Sequence, residues 1–149
     1  TNQRLVIMGK KIVLVACSGK KNPTDGQSVR AKDLYAGALF TKSMDYAKTL
    51  NPDEIFILSA KYGLLDPDDL IETYNNTLVN KNAQVKRDWS NAVLDKLKEI
   101  CNLNNDTFIF LAGTAYYKYM VSSLNNVEIP LEGLRIGEKL QKLNELNNQ

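Results

Sequence analysis

Side chains that could perform chemistry crowd into one stretch of the chain, from Ser59 to Tyr74. The stretch reads SAKYGLLDPDDLIETY, so hydroxyl groups, a lysine and several carboxylates lie close together in sequence. A carboxylate beside a lysine and a serine can act as a general base or can stabilise a positively charged transition state. Asp66 and Asp68 are the candidate carboxylates for such a role, with Ser59 as the candidate hydroxyl.

Asp66 and Asp68 also have a purely structural interpretation. The pair Asp66-Pro67 predicts a turn after Leu65, and either aspartate can cap a short helix that runs through Ile71. A magnesium ion held by the two carboxylates stays open as an alternative. No tight structural metal site and no cofactor are expected.

Two other stretches place small residues and hydroxyl groups directly after apolar runs. Residues 17–21 read CSGKK and follow the first run, and residues 112–116 read AGTAY and follow the last. In the first stretch, small residues let backbone amides approach an anion while lysines supply charge, which favours an anion site at Ser18, Gly19 and Lys20. The alternative is a plain exit from a strand, because the phosphate-binding pattern GxxxxGK[ST] is absent.

Histidine is absent from the chain. Its absence excludes Ser-His-Asp and Cys-His catalysis, as well as zinc and haem sites that use histidine ligands. The two cysteines, Cys17 and Cys101, are far apart in sequence and form no CxxC pattern. We interpret Cys17 as a small buried residue rather than a nucleophile. No secretory signal peptide is recognisable, which predicts a cytoplasmic protein.

Three short apolar runs, at residues 11–17, 54–60 and 107–113, predict strands that are buried on both faces of a parallel sheet. Between these runs, apolar residues recur at helical spacing. The two helical stripes consist of Phe40, Met44, Ala47 and Leu50, and of Val85, Trp89, Val93, Leu97 and Ile100. Two more helices are predicted, one capped by Thr114 and one from about Ile136 to Leu146.

Strands that alternate with helices predict an α/β fold class, a single-domain three-layer Rossmann-like fold with a mostly parallel sheet. We expect a flexible leader over residues 1–10, the domain over residues 11–146 and a polar tail over residues 147–149. In open sheets of this kind, ligands bind outside the carboxyl ends of the strands. Each stretch with candidate chemistry follows a predicted strand, so this edge of the sheet is the predicted site.

Charge is unevenly distributed along the 149 residues, whose net charge is +2. Through Lys32 there are seven basic residues and one acidic residue, so that this part carries +6 and the remainder −4. A basic lobe suits a phosphate-bearing partner, although an ordinary solvated surface is the alternative. No apolar run approaches the roughly 18 residues that a membrane span requires, so no membrane partner is expected.

Several motifs together resemble a conserved prokaryotic and phage domain of unassigned function. They are CSGKK at residues 17–21, DLYAGALF at 33–40, ILSAKYGLLDPD at 57–68 with Ile71 and Tyr74, and LAGxxY at 111–116. The stretch from Leu58 to Tyr74 is also similar to the peroxide-stress protein YaaA family, whose pattern resembles Leu-Ser-x-x-Tyr-Gly-Leu-Leu-x-Pro-x-Asp-x-Ile-x-x-Tyr. The first resemblance covers about residues 11–140, and the second covers only this central motif.

The resemblance implies association with nucleic acid, or action on a nucleobase or its N-glycosidic bond. The chain has no glycine-rich hairpin that would supply the helix-hairpin-helix element with which the YaaA family binds DNA. Under the resemblance, lysines hold a phosphate and tyrosines stack a base. The matching positions, carried over as site residues, are Ser18, Lys20, Tyr35, Ser59, Lys61, Tyr62, Gly63, Asp66, Asp68, Tyr74, Gly113 and Tyr116.

The leading prediction is a nucleotide- or nucleobase-directed enzyme that hydrolyses or transfers an N-glycosidic bond. Asp66 or Asp68 would be its catalytic carboxylate, enclosed in a concave pocket with Lys20 and Lys61. One alternative is a non-catalytic phage or prophage module that senses a nucleotide or docks on a partner. Another is a nucleic-acid-associated stress protein without catalysis. The expected partner is thus a nucleotide or nucleic acid.

Overall fold

A computed structural model describes residues 9–16, 21–22, 24–75 and 77–149 of the chain. In chain order its strands are β1 (Lys11–Ala16), β2 (Val29–Arg30), β3 (Glu54–Ser59), β4 (Gly63–Leu65), β5 (Leu70–Ile71), β6 (Thr107–Leu111) and β7 (Asn126–Glu128). Its α-helices are α1 (Ala31–Leu34), α2 (Ala38–Thr49), α3 (Ala83–Ile100), α4 (Thr114–Tyr117) and α5 (Ile136–Asn147). A short 3₁₀ turn covers Val121–Ser123.

Five strands form one sheet in the order β4-β3-β1-β6-β7, with β1 at its centre. All neighbours in this sheet run parallel except β4, which returns antiparallel to β3. Val13 of β1 lies opposite Ile55 on one side and Ile109 on the other. The residues from Ile12 to Val15 are 0% exposed, as expected of a strand covered on both faces. The predicted mostly parallel α/β sheet is therefore confirmed.

The two faces of the sheet are covered by different helices, because successive side chains of a strand point to opposite sides. On one face, Val13 and Val15 share a hydrophobic core with residues of α2 and α5. On the other face, Ile12 and Leu14 share a core with residues of α3 and α4. Helices thus flank the sheet on both sides, a three-layer arrangement compatible with a Rossmann-like fold.

The central residues of the predicted helical stripes are buried, whereas some residues at the ends are exposed. Phe40, Met44 and Ala47 of α2 are buried as predicted. In α3, Val93 and Leu97 are buried, whereas the end positions Val85 and Ile100 are exposed, because both ends of this 18-residue helix extend beyond the core. Within the described residues, no helix is long and apolar enough to span a membrane.

Two predicted helix caps are wrong. The residue that precedes α4 is Gly113, and Thr114 already belongs to the helix, so that its hydroxyl lies near the Tyr117 hydroxyl instead. No helix follows Asp66, because residues 70–71 form β5, which pairs antiparallel with β2. Residues 1–8 of the leader predicted over residues 1–10 lie outside the described residues. Within its last two residues, Lys10 donates its backbone N–H to the Asp106 carboxylate.

Candidate functional site at the carboxyl edge of the sheet

The parallel strands β3, β1 and β6 end side by side at Ser59, Ala16 and Leu111, and we call this side of the sheet the carboxyl edge. From β1 the chain first adds β3 on one side and later β6 on the other side. The order of strands therefore reverses between β1 and β6. In open α/β sheets, ligands bind in the crevice that this reversal leaves at the carboxyl ends.

Three buried hydroxyl groups form a continuous row beside the end of β3. Ser59 Oγ donates to the Tyr74 hydroxyl oxygen at 2.8 Å, and the Tyr74 and Tyr35 hydroxyls are hydrogen-bonded at 2.8 Å. The three residues are at least nine-tenths buried. We call this set the hydroxyl row. Buried hydroxyls that satisfy one another stabilise one arrangement of side chains, since breaking the row would leave polar groups away from water.

Ser59 also fixes the loop that follows β3. Its Oγ accepts hydrogen bonds from the backbone N–H of Tyr62 at 3.0 Å and of Lys61 at 3.3 Å. Its carbonyl oxygen accepts from Trp89 Nε1 at 2.9 Å. Gly63 then takes a positive φ of 74° and starts the antiparallel return strand, a conformation that favours glycine. The hydroxyl row and the loop of Lys61 and Tyr62 are therefore connected by hydrogen bonds into one unit.

Two lysines lie on the aromatic rings of this unit. Lys21 Nζ is 4.6 Å from the centroid of the Tyr74 ring, and Lys61 Nζ is 5.2 Å from that of Tyr62. The Tyr62 ring packs edge-on against Tyr74 with centroids 5.5 Å apart. Within the described ranges neither lysine has a carboxylate partner. Their charges are thus available to an anionic ligand, because a cation above a ring still presents its other side to solvent.

An apolar crevice opens at the same edge of the sheet, at the reversal point between β1 and β6. It encloses about 170 Å³ and is bordered by Ala16, Gly113, Tyr116 and Lys139. Tyr116 is held edge-on against Trp89 with ring centroids 5.5 Å apart. Since Trp89 also bonds Ser59, one aromatic side chain connects the wall of the crevice to the hydroxyl row.

The structure separates Asp66 and Asp68 from the other predicted site residues. Because β4 runs antiparallel to β3, residues after Leu65 return toward the start of β3, away from Ser59. Asp66 Oδ1 accepts the backbone N–H of Asp68, which closes a turn. Asp68 lies 3.1 Å from Lys32 Nζ as an exposed ion pair. The expected pocket shared by these carboxylates and Lys61 is therefore not formed among the described residues.

The remaining predicted site residues fall into two groups. The carboxyl edge brings together Ser59, Lys61, Tyr62, Gly63, Tyr74 and Tyr35 as one unit, and Gly113 and Tyr116 at the crevice. Ser18, Gly19 and Lys20, together with Cys17, lie outside the described residues. Lys139 also borders the crevice. Sequence alone does not single it out, because an isolated lysine on the amphipathic helix α5 has the same pattern as any solvated position. Lys21 is part of the CSGKK motif, but its position over the Tyr74 ring is not evident from sequence.

A larger cavity among the described residues lies at the opposite edge of the sheet. It is an open basin of about 830 Å³ bordered by Lys10, Cys101, Asn102 and Asp106. Asp106 is buried, and its two carboxylate oxygens accept the backbone N–H groups of Lys10 and Asn102, each at 2.8 Å. These polar groups are occupied in holding the loop together. The carboxyl edge is therefore the better candidate site despite its smaller cavity.

Cys101 at this basin is expected to react slowly. Burial, and after it the negative charges of Asp106 and Glu54, raise the pKa of the Cys101 thiol from 9.0 to about 11. Because the thiolate is the nucleophile, iodoacetamide at pH 8 should alkylate Cys101 roughly 10- to 100-fold more slowly than free cysteine. The raised pKa also affects stability. Between pH 9.0 and about 11 the Cys101 thiol is ionised in the unfolded chain but not in the folded protein, so the free energy of unfolding falls as pH rises through this range.

The alkylation rate is measured by mass spectrometry in the Cys17→Ser variant, in which Cys101 is the only cysteine. The same chain unfolded in urea serves as the control and should react at the rate of free cysteine. An equal rate in the folded protein would contradict the effect of burial.

Comparison with known proteins places the chain among proteins of unassigned activity. It is 42% identical over 65 residues to a Bacillus subtilis (strain 168) protein described as "Uncharacterized protein YfjM". That match covers 42% of this chain and 43% of the relative, so the chain spans less than half of the relative's length. A sequence profile described as "Family of unknown function (DUF6884)" matches residues 12–145, from β1 into α5. The chain therefore belongs to this family of unknown function, DUF6884.

Proposed function

We propose that the protein binds a nucleotide or a nucleobase at the carboxyl edge of its sheet. The observation that carries this proposal is that two cations, Lys21 and Lys61, and an apolar crevice at the reversal point lie at the same edge of the sheet. A ligand for such a site combines a negatively charged group with an apolar or aromatic one. Among common metabolites, nucleotides have this combination.

The rigidity of the site supports recognition of one ligand geometry. Ser59 and Tyr74 are buried and hydrogen-bonded, so the loop that carries Lys61 and Tyr62 is fixed before any ligand arrives. A site that is already ordered loses less conformational entropy on binding.

Hydrolysis or transfer of an N-glycosidic bond is the alternative that the similarity of the central motif to the YaaA family suggests. Such a reaction usually requires a carboxylate beside the reacting bond. None of the described residues that border the crevice is acidic, and Asp66 and Asp68 lie toward the start of β3. The described geometry therefore favours the binding module over the glycosidase among the predicted functions.

Neutralising the lysines at the site is expected to weaken binding. A thermal-shift screen of the four ribonucleoside 5′-monophosphates, the free bases and short oligonucleotides first identifies a ligand, since one at 100 times its Kd adds about 2.7 kcal/mol of stability. For that ligand, Lys61→Gln and Lys21→Gln should each raise Kd about tenfold or more, because a charge-assisted hydrogen bond contributes about 1.5–3 kcal/mol.

Lys142→Gln is the matched control, because Lys142 is exposed on α5 and does not border the crevice. Its Kd should equal that of the wild type. A wild type that binds no compound of the panel would refute the proposed function. Tight binding of oligonucleotides alone, with strong salt dependence, would instead favour a nucleic-acid-binding protein.

A further inference from the structure

The crevice between the ends of β1 and β6 has an almost entirely apolar lining. Its apolar border includes Ala16, Leu39, Val79, Leu111, Leu131 and Ile136. A phosphate enclosed by such side chains would lose its hydration without receiving enough hydrogen bonds in return. The interior of the crevice therefore suits an uncharged group, and a charged group must stay at the mouth.

The size of the crevice limits what can enter. Its volume of about 170 Å³ is below the roughly 300–1,000 Å³ of pockets for drug-sized ligands. One planar ring system is therefore a better match than a whole nucleotide. Gly113 contributes to this space, because a Cβ atom built at this position would meet no atom within 4 Å.

Two exposed apolar side chains border the crevice. Val79 and Ile136 are 66% and 67% exposed, and they come from the segment before α3 and from the first turn of α5. These two side chains extend the apolar border of the crevice to the molecular surface. Lys139, one turn after Ile136 on α5, borders the same cavity and is half-buried.

We propose that this crevice is a base pocket, which accepts one uncharged heteroaromatic ring and leaves its anionic substituent at the mouth, where Lys139 adds its charge to those of Lys61 and Lys21. The proposal rests on the proposed function, and it specifies which part of the ligand is recognised where. Tyr116, held by Trp89, forms the rigid wall against which the ring packs. The ring is thus selected by shape and apolar contact, and the charge by Lys139 together with Lys61 and Lys21.

The experiment separates ring from charge by using three probes on the same protein. Isothermal titration measures Kd for adenine, for ribose 5-phosphate and for AMP, with guanine, cytosine and uracil compounds as the extension of the panel. The wild type should bind the base and the nucleotide, and should bind ribose 5-phosphate at least tenfold more weakly than the nucleotide. Lys139→Gln should raise Kd for the nucleotide several-fold and leave Kd for the free base unchanged.

Gly113→Val fills the crevice from inside. The backbone at residue 113 has φ −77° and ψ 164°, values that valine adopts readily, so the variant is expected to fold. It should raise Kd at least tenfold for both the base and the nucleotide. Lys142→Gln again serves as the control, and Leu39→Trp provides a second way to block the crevice if Gly113→Val does not fold.

The outcomes distinguish the base pocket from the broader proposal. If Gly113→Val and Leu39→Trp leave Kd for the nucleotide unchanged while Lys61→Gln raises it, the base pocket is refuted and nucleotide binding at the carboxyl edge stands. If ribose 5-phosphate binds as tightly as the nucleotide, ring recognition is refuted. If none of the probes binds to the wild type, both proposals are refuted together.

Discussion

Replacing Tyr74 by alanine is expected to lower the free energy of unfolding by about 3–5 kcal/mol, the range for removal of a large aromatic side chain from a core. The Tyr74 ring is buried and contacts the rings of Tyr35 and Tyr62, while its hydroxyl joins Ser59 to Tyr35. The substitution thus removes both the packing and the centre of the hydroxyl row. Urea denaturation followed by circular dichroism measures the effect.

Tyr74→Phe separates the two contributions. It keeps the ring under Lys21 but removes the hydrogen bonds with Ser59 and Tyr35, so we expect a loss of about 1–3 kcal/mol. Tyr46→Phe is the matched control, because the Tyr46 hydroxyl has no hydrogen bond within the described residues and its removal should change stability by less than about 0.5 kcal/mol. Equal stabilities of Tyr74→Phe and the control would show that the hydroxyl row contributes nothing.

Replacing Asp106 by alanine is expected to lower the free energy of unfolding by about 3 kcal/mol. The carboxylate accepts two backbone N–H groups, from Lys10 and Asn102, and hydrogen bonds to charged groups contribute about 1.5–3 kcal/mol each. Asp106→Asn keeps one acceptor oxygen, so it should lose roughly half as much. Urea denaturation again measures both variants.

Asp95→Ala is the control for loss of a carboxylate. Asp95 forms an exposed pair with Lys98 at 3.8 Å, and such pairs contribute little. A loss for Asp106→Ala no larger than for this control would contradict the role of Asp106. Because Asp106 lies at the basin and not at the carboxyl edge, its variants should also leave ligand affinity unchanged, unlike Lys61→Gln.

The sheet was predictable from sequence because each central strand is recognisable from its own residues, without knowledge of its partners in the fold. Each consists of a short, almost unbroken run of apolar residues, which is typical of a strand buried on both faces. The same reasoning identified the carboxyl edge, since chain direction alone decides which residues follow each strand. The hydroxyl row could not be predicted in this way, because the hydrogen bond between Ser59 and Tyr74 depends on a reversal of the chain at Gly63.

The prediction that Asp66 and Asp68 lie at the carboxyl edge is wrong, because their position also depends on the reversal of the chain at Gly63. The three-residue strand β4 is too short to leave a recognisable pattern, yet it returns the chain toward the start of β3. Side chains that are close to Ser59 in sequence are thereby moved away from it in space. Lys139 shows the converse, because α5 is remote from β1 in sequence and reaches the crevice only through packing on the sheet.

The central claim is that the carboxyl edge binds a nucleotide or a nucleobase, and mapping the bound position tests it most directly. We would titrate ¹⁵N-labelled protein with the ligand from the screen and follow the backbone amide signals by NMR. Binding at the carboxyl edge should shift the signals of Lys61, Tyr62 and Gly113 and leave those of Asn102 and Asp106 unchanged. Shifts confined to Asn102 and Asp106, or no shift at saturating ligand, would contradict the claim.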